Sequence, residues 1–181
     1  MATESKQLKI KNAMLSFPNL FTPKAIEEGQ TKKFSCVFML PKEGNEKAYE
    51  AIMNVYNEIA TEYKVKKDLP NDNKFIVDGD TTEREEYAGH WIIKAKNKNR
   101  PTVIDRSRTP LAEEDGLIYG GCIANGIVEP YYYKHAASGK QFIIASLKGV
   151  QWVGKGTPFG DSPVTPNEFD DLGDDEDNSE L

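Results

Sequence analysis

Hydrophobic residues recur at every second position in five stretches of the chain, a spacing typical of β-strands that bury one face. In the stretch 87–108, Trp91, Ile93 and Ala95 share one face of a predicted strand, while Ile92 and three lysines share the other. The same alternation predicts further strands over 7–17, 33–40, 118–133 and 141–153. The pattern therefore indicates a mostly β protein.

Proline residues mark the expected ends of the first two strands, because proline donates no hydrogen bond to a sheet. Pro18 and Pro23 are expected to end the first strand, and Pro41 the second.

One segment has helical rather than strand periodicity. Between 43 and 64 the hydrophobic spacing changes to three and four residues, which predicts a helix of about five turns with Asn45 as its N-cap. The polar segment 68–86 that follows is expected to be a loop, unless the run 74–77 supplies another strand.

The last two predicted strands carry aromatic residues on their outward faces. On the predicted strand 118–133, the opposite face carries small or apolar residues in alternation: Cys122, Ala124, Gly126 and Val128. In the last strand, a bulge near Gly149 is expected to leave the ring of Trp152 on the surface. The four outward rings are Tyr131, Tyr133, Phe142 and Trp152.

Five strands with one inserted helix predict an all-β domain, an OB-fold-like five-stranded barrel. The helix follows the second strand, whereas in the usual OB order it follows the third. The expected domain covers 1–160, and 161–181 is expected to be a disordered acidic tail.

Charge is distributed unevenly between these two parts. The tail, residues 161–181, holds nine acidic residues and no basic one, so the remaining 160 residues carry +3 within a chain of net charge −6. Such an asymmetry favours contact with nucleic acid or a tail that masks the protein's own basic surface. Apolar anchors for a partner protein are expected at Phe169, Leu172 and Leu181.

Within the mildly basic domain, residues 94–108 hold six basic side chains and one acid, Asp105. Basic side chains beside outward aromatic rings suit single-stranded nucleic acid, because cations neutralise phosphates and rings stack on bases. The alternatives are a solvated sheet edge for the cations and core packing for each ring. The basic candidates are Lys94, Lys96, Lys98, Arg100, Arg106 and Arg108.

Motifs for catalysis are missing from the sequence. No nucleotide-binding GxxxxGK[ST] loop or HExxH motif occurs, so we expect no enzyme activity, cofactor or metal. The one alternative of that class is a metal-dependent nuclease using the carboxylates of 78–86. Cys36 and Cys122 are expected to be buried, reduced thiols. The chain lacks both a leader-like apolar segment and a run long enough to span a membrane, so a cytoplasmic protein is expected.

The runs YAGHWIIKAKNKNRPTVIDR, IYGGCIANGIVEPYYY and SLKGVQWVGKGTPFG, followed by an acidic terminus, resemble the phage-encoded single-stranded DNA-binding proteins of short-tailed and related phages. The resemblance covers most of 8–160. It implies an OB fold with a basic, aromatic-lined cleft and an acidic C-terminus that recruits replication proteins such as polymerase or helicase. Leu181 departs from the aromatic residue that ends the best-known relatives, and Trp152 stands where a polar or basic residue is commoner.

The function that these observations predict is non-catalytic, sequence-independent binding of single-stranded DNA in phage replication and recombination, in the cytoplasm of the infected bacterial host. A homodimer is compatible with this reading. The alternative within binding proteins is an OB protein for RNA or structured nucleic acid, since OB folds serve both.

Overall fold

A computed structural model describes residues 6–25, 28–159 and 169–173 of the chain. The described part is mainly β-structure with one α-helix, which confirms the predicted fold class. The elements are β1 (Leu8–Lys24), β2 (Lys33–Pro41), α1 (Glu46–Glu62), β3 (Ile76–Asp78), β4 (His90–Asn97), β5 (Thr102–Ile104), β6 (Ile123–Lys134) and β7 (Gln141–Gly154). None of the described residues belongs to a helix that is both long and apolar enough to cross a membrane.

Five of the strands close into a barrel. The strand order along the sheet is β3-β4-β2-β1-β6-β7-β5, and a parallel pairing of Lys96 with Ser146 joins β4 to β7. The closed ring is therefore β1-β2-β4-β7-β6, with β3 and β5 attached as short additional strands. The helix α1 follows the second barrel strand, as its position in the sequence predicts, and contacts β6 and β7.

The barrel interior holds the residues that alternation predicts to face inward. Phe38 and Val128 are fully buried, and so are Ile143 and Leu147 on β7. Gly126 is required by the ring of Phe38, because a Cβ atom at position 126 would lie 2.2 Å from that ring. The interior also holds Cys36 and Cys122, both as free thiols whose pKa is raised by burial.

The first strand is longer than the sequence predicts. It continues through Pro18 and Pro23 to Lys24, so the expectation that these prolines end it was wrong. The pairing of β1 with β2 shifts register between Ser16 and Asn19 and again before Lys24. These irregularities place each proline where the ladder is already interrupted, and a proline then costs no hydrogen bond.

The segment 68–86 is only partly a loop. The run 74–77 contributes to a further strand, β3, which is the alternative that the sequence left open. This strand also widens the barrel wall. The Phe75 N–H donates to the Ile143 carbonyl at 2.8 Å, and the Phe75 carbonyl accepts from the Lys94 N–H at 2.8 Å. Phe75 thus fills the gap where β4 and β7 separate, with its own side chain buried.

Trp152 does not lie free on the surface, contrary to the prediction. A bulge does occur beside Gly149, since Ile127 pairs with Gly149 and Val128 with Leu147. Val150 then returns to the core, and two residues later Trp152 faces the same way and packs against it. Its indole Nε1 is buried, and no hydrogen-bond partner lies among the described residues.

The described chain reaches Phe159 and includes 169–173 of the acidic tail. In that piece Phe169 and Leu172 are exposed. Leu181 and the rest of the predicted tail lie outside the described residues.

Candidate nucleic-acid interface

The outward face of β2, β4 and the start of β7 forms a cavity of about 370 Å³, here called the basic cleft. Its position follows from alternation along the strands, because Ser35, Val37, Lys94 and Lys96 all occupy outward positions. Three lysines and one acid, Asp72, line it, so its charge is positive. The side chains that face the basic cleft include Phe17, Ser35, Val37, Lys74, Lys94, Lys96 and Ile144.

The two lysines of β4 are partly buried in the cleft floor. Lys94 donates from Nζ to the Asn71 carbonyl at 2.7 Å, and burial lowers the pKa of its ammonium group. Burial also lowers the pKa of Lys96, with a further contribution from the positive charge of Lys33. No ion pair found among the described residues involves either lysine. Both ammonium groups are thus partly desolvated without an ion pair, and the negative charge of Asp72 acts on Lys94 only from a greater distance, an arrangement that favours an incoming anion.

The groove continues from the basic cleft toward the loop that joins β1 to β2. A neighbouring cavity of about 390 Å³ shares Ser35 and Lys96 with the cleft and adds Lys24 and Lys33. Lysines therefore follow one continuous path across the outer surface of β1, β2 and β4, the arrangement expected for contacts with successive phosphates.

An aromatic cluster lies at the other end of the cleft, on the β6–β7 hairpin. It consists of Tyr131, Tyr133 and Phe142, all on outward positions as predicted. Tyr131 pairs with Ile144, which lines the cleft, and Tyr133 pairs with Phe142 at a ring-centroid distance of 5.8 Å. Tyr131 and Tyr133 are 40% and 45% exposed, whereas Phe142 is half-buried.

The neighbouring Tyr132 faces inward, stacks on Tyr63 at 4.4 Å and packs against the core, as its position in the alternation predicts. Trp91 likewise packs against the core and stacks on Tyr49 of α1 at 3.8 Å.

The other predicted basic residues are dispersed. Lys98 and Arg100 are exposed beyond the end of β4, and Arg100 donates to the Phe21 carbonyl at 3.3 Å. Arg106 donates to the Val153 carbonyl at 2.7 Å and lines a different cavity, together with Trp152. That cavity shares no lining residue with the basic cleft. Arg108 lies in a turn with φ of 66°.

Sequence reasoning missed four residues that face this groove: Phe17, Lys24, Lys33 and Lys74. Phe17 is 52% exposed, although the sequence places it at the end of a strand. Lys74 lies in the segment predicted to be a loop. The strand-like run 74–77 was the signal that could have placed Lys74 beside β4.

The carboxylates of 78–86 do not form a metal site in the structure. Asp78 and Asp80 both accept hydrogen bonds from Lys42 Nζ, at 2.6 and 2.7 Å. The Lys42 hydrogen bond is the main reason why the pKa of Asp80 is lowered. Across 6–25, 28–159 and 169–173, no three histidine, cysteine, aspartate or glutamate side chains are grouped as metal ligands would be.

Comparisons with known proteins identify the family of this chain. A family model described as the ssDNA-binding protein of Enterobacter phage Enc34 matches residues 6–180. Protein p50 of Acyrthosiphon pisum secondary endosymbiont phage 1 is 35% identical over 176 residues, which cover 92% of this chain and 94% of that protein.

Two solved structures share the fold. The single-stranded DNA-binding protein of bacteriophage Enc34, solved in complex with ssDNA, is similar at a TM-score of 0.77 and 27% identity, covering 87% of this chain and 91% of that one. For gp2.5, a single-stranded DNA-binding protein encoded by bacteriophage T7, the TM-score is 0.60 at 15% identity, with 93% and 97% covered, a likeness of fold alone. From the family match over residues 6–180, the chain belongs to the family of the Enterobacter phage Enc34 ssDNA-binding protein.

Proposed function

We propose that this protein binds single-stranded DNA without sequence preference, with the phosphates along the basic cleft and bases on neighbouring rings. The observation that carries the proposal is the pair Lys94 and Lys96, partly desolvated and without an ion pair in the cleft floor. Membership of the Enc34 family supports the choice of ligand.

Single strands are favoured over duplex because the aromatic cluster needs unpaired bases. Tyr131 and Tyr133 are exposed on the outer surface of the sheet, where the face of a base can reach them. In a duplex those faces are already stacked on neighbouring base pairs. Of the other predicted residues, Lys98 and Arg100 extend the proposed path beyond β4. Arg106 and Trp152 line a separate cavity, and Arg108 lines neither cavity of the path, so these three are left out of it.

The acidic tail is proposed to compete with DNA for the cleft. The chain segment that precedes the tail is fixed on the barrel, because Phe159 donates from its N–H to the Gly120 carbonyl at 3.1 Å. The Phe159 side chain packs with Val37 against a small apolar cluster on the outer sheet surface, and Val37 also lines the cleft. The described chain thus reaches Phe159 on the surface that carries the cleft, and the nine acids of the tail that follows suit the lysine path.

Displacement of the tail by DNA would free it for a partner. The exposed side chains of Phe169 and Leu172, together with Leu181, are proposed as apolar anchors for phage replication proteins such as a polymerase or helicase. The proposed setting is phage replication and recombination in the cytoplasm of the bacterial host, where the protein protects single strands. Self-association as a homodimer is compatible with this role.

The proposal is tested by electrophoretic shifts with single-stranded DNA, duplex DNA and RNA of equal length, with and without magnesium. The expected result is a shift with single-stranded DNA, weaker shifts with duplex, and no magnesium dependence. Equal or tighter binding of RNA would favour the alternative RNA-binding function. Magnesium-dependent degradation would instead show a nuclease and overturn the non-catalytic reading.

A further inference from the structure

The backbone at Phe17 adopts a conformation that is uncommon for a bulky residue. Its φ is 48°, in the left-handed region that glycine and asparagine enter more easily. The residue sits in the register shift between Ser16 and Asn19, where β1 stops pairing regularly with β2. Such a conformation costs free energy and persists only where its neighbours hold it in place.

The flanking residues supply that support. Ser16 Oγ and the Tyr87 hydroxyl form a buried hydrogen bond of 3.0 Å. On the other side, Asn19 Nδ2 donates to the Phe17 carbonyl at 3.3 Å. The bulge is thus fixed at both ends, and the consequence is that the Phe17 ring points outward instead of into the barrel.

The ring reaches the wall of the basic cleft beside Lys94 and Lys96, and 52% of the residue is exposed. The guanidinium group of Arg84 lies over the ring, 4.4 Å from its centroid. Phe17 thus stays about half exposed with Arg84 over one face of its ring, and the residue lines the cleft. An exposed aromatic ring beside two lysines is the combination that binds a base and its phosphates.

We propose that Phe17 is a base-stacking platform of the cleft and that Arg84 is a positioning residue that backs the ring. This inference rests on the proposed binding of single-stranded DNA, which it deepens by naming a second stacking site, on the opposite side of the lysines from the aromatic cluster. Bases of one strand would then stack at both ends of the cleft, with the phosphates between them on Lys94 and Lys96.

The test compares Phe17→Asn with Phe17→Tyr in the full-length protein. Asparagine tolerates the left-handed backbone and removes the ring, whereas tyrosine keeps it. Binding is measured with an oligothymidylate and with an abasic oligonucleotide of the same length. Phe17→Asn is expected to weaken oligothymidylate binding by roughly 5- to 150-fold and to leave abasic binding unchanged, because a lost base stack has this magnitude.

Phe17→Tyr is expected to bind both oligonucleotides like the parent protein. A thermal melt checks that the variants are folded, and Phe17→Gly, which also suits a positive φ, serves if the asparagine variant is not. Unchanged oligothymidylate affinity in a folded ring-less variant overturns the inference while leaving the proposed function standing. If the parent protein itself fails to bind single-stranded DNA, the proposed function fails first.

The role of Arg84 is tested by a double-mutant cycle. Arg84→Ala is expected to weaken oligothymidylate binding more in the parent than in the Phe17→Asn background, and Arg84→Lys to restore part of the loss. The same loss in both backgrounds would show that Arg84 acts through its charge alone and would overturn its positioning role.

Discussion

Replacing Lys94 and Lys96 together by glutamine removes two positive charges from the floor of the basic cleft. Glutamine removes the charge but keeps a hydrogen-bond donor at position 94, where the lysine Nζ donates to the Asn71 carbonyl at 2.7 Å. Both lysines lie on the outward face of β4, away from the barrel interior. The double variant is therefore expected to fold and to differ from the parent mainly in its affinity for a polyanion.

The expected loss follows from counterion release. For single strands, log K falls with log salt by about 0.7 per neutralised phosphate, so two lysines that each neutralise one phosphate contribute a slope of about −1.4. If this contribution vanishes near 1 M salt, it corresponds to about 15-fold in affinity at 0.15 M and about 65-fold at 0.05 M. Loss of affinity should thus grow as salt is lowered.

The assay is a fluorescence-anisotropy titration of a labelled oligothymidylate at four or five salt concentrations. The matched control is Lys47→Gln combined with Lys140→Gln, because both lysines are exposed, line none of the cavities described above and change the net charge equally. A double variant whose salt slope equals that of the parent would refute the cleft as the phosphate path. An equal change in the control would show that only net charge matters.

Four further predictions concern the tail, the rings and the core. Deleting 161–181 is expected to raise affinity for single-stranded DNA, most strongly at low salt; an unchanged affinity in the same titration would show that the tail does not mask the cleft. Tyr131→Ala and Tyr133→Ala are each expected to cost about 1–3 kcal/mol of binding free energy with little change in melting temperature. Trp152→Ala is expected to do the reverse, lowering the free energy of unfolding in a denaturant titration by up to about 3–5 kcal/mol while DNA affinity is kept. Gly126→Ala should also destabilise the fold, by about 1–3 kcal/mol, because the added methyl group meets a core ring; a variant as stable as the parent would contradict the tight packing seen there.

The barrel could be predicted from the sequence because alternation reports directly which side of a strand is buried. Ile93 and Ala95 are buried while Lys94 and Lys96 line the outer cleft, as the period of two requires. The inserted helix could be predicted equally well, because hydrophobic residues spaced three and four apart do not fit the period of two of a strand. These signals are local, and each residue keeps its side as long as the pairing is regular.

Prediction failed where the pairing is irregular. At the end of β7 the phase was misjudged after the bulge beside Gly149: Val150 and Trp152, two residues apart, face the same side, so a buried Val150 requires an inward Trp152. In β1, the register shifts that accommodate Pro18 and Pro23 cannot be read from composition. A proline looks like the end of a strand unless the partner strand is known.

The same irregularities build the candidate site, which explains why the two lysines of β4 were predicted while Phe17 and Lys74 were missed. Lys94 and Lys96 belong to a regular strand, so alternation placed them outward. Phe17 reaches the cleft only because a bulge reverses its expected side, and Lys74 only because a short segment fills the gap where β4 and β7 separate. A barrel with regular pairing between all its strands would have no such gap and no outward ring at position 17. The departures from regular pairing are therefore the features that turn a basic sheet surface into a cleft with a wall.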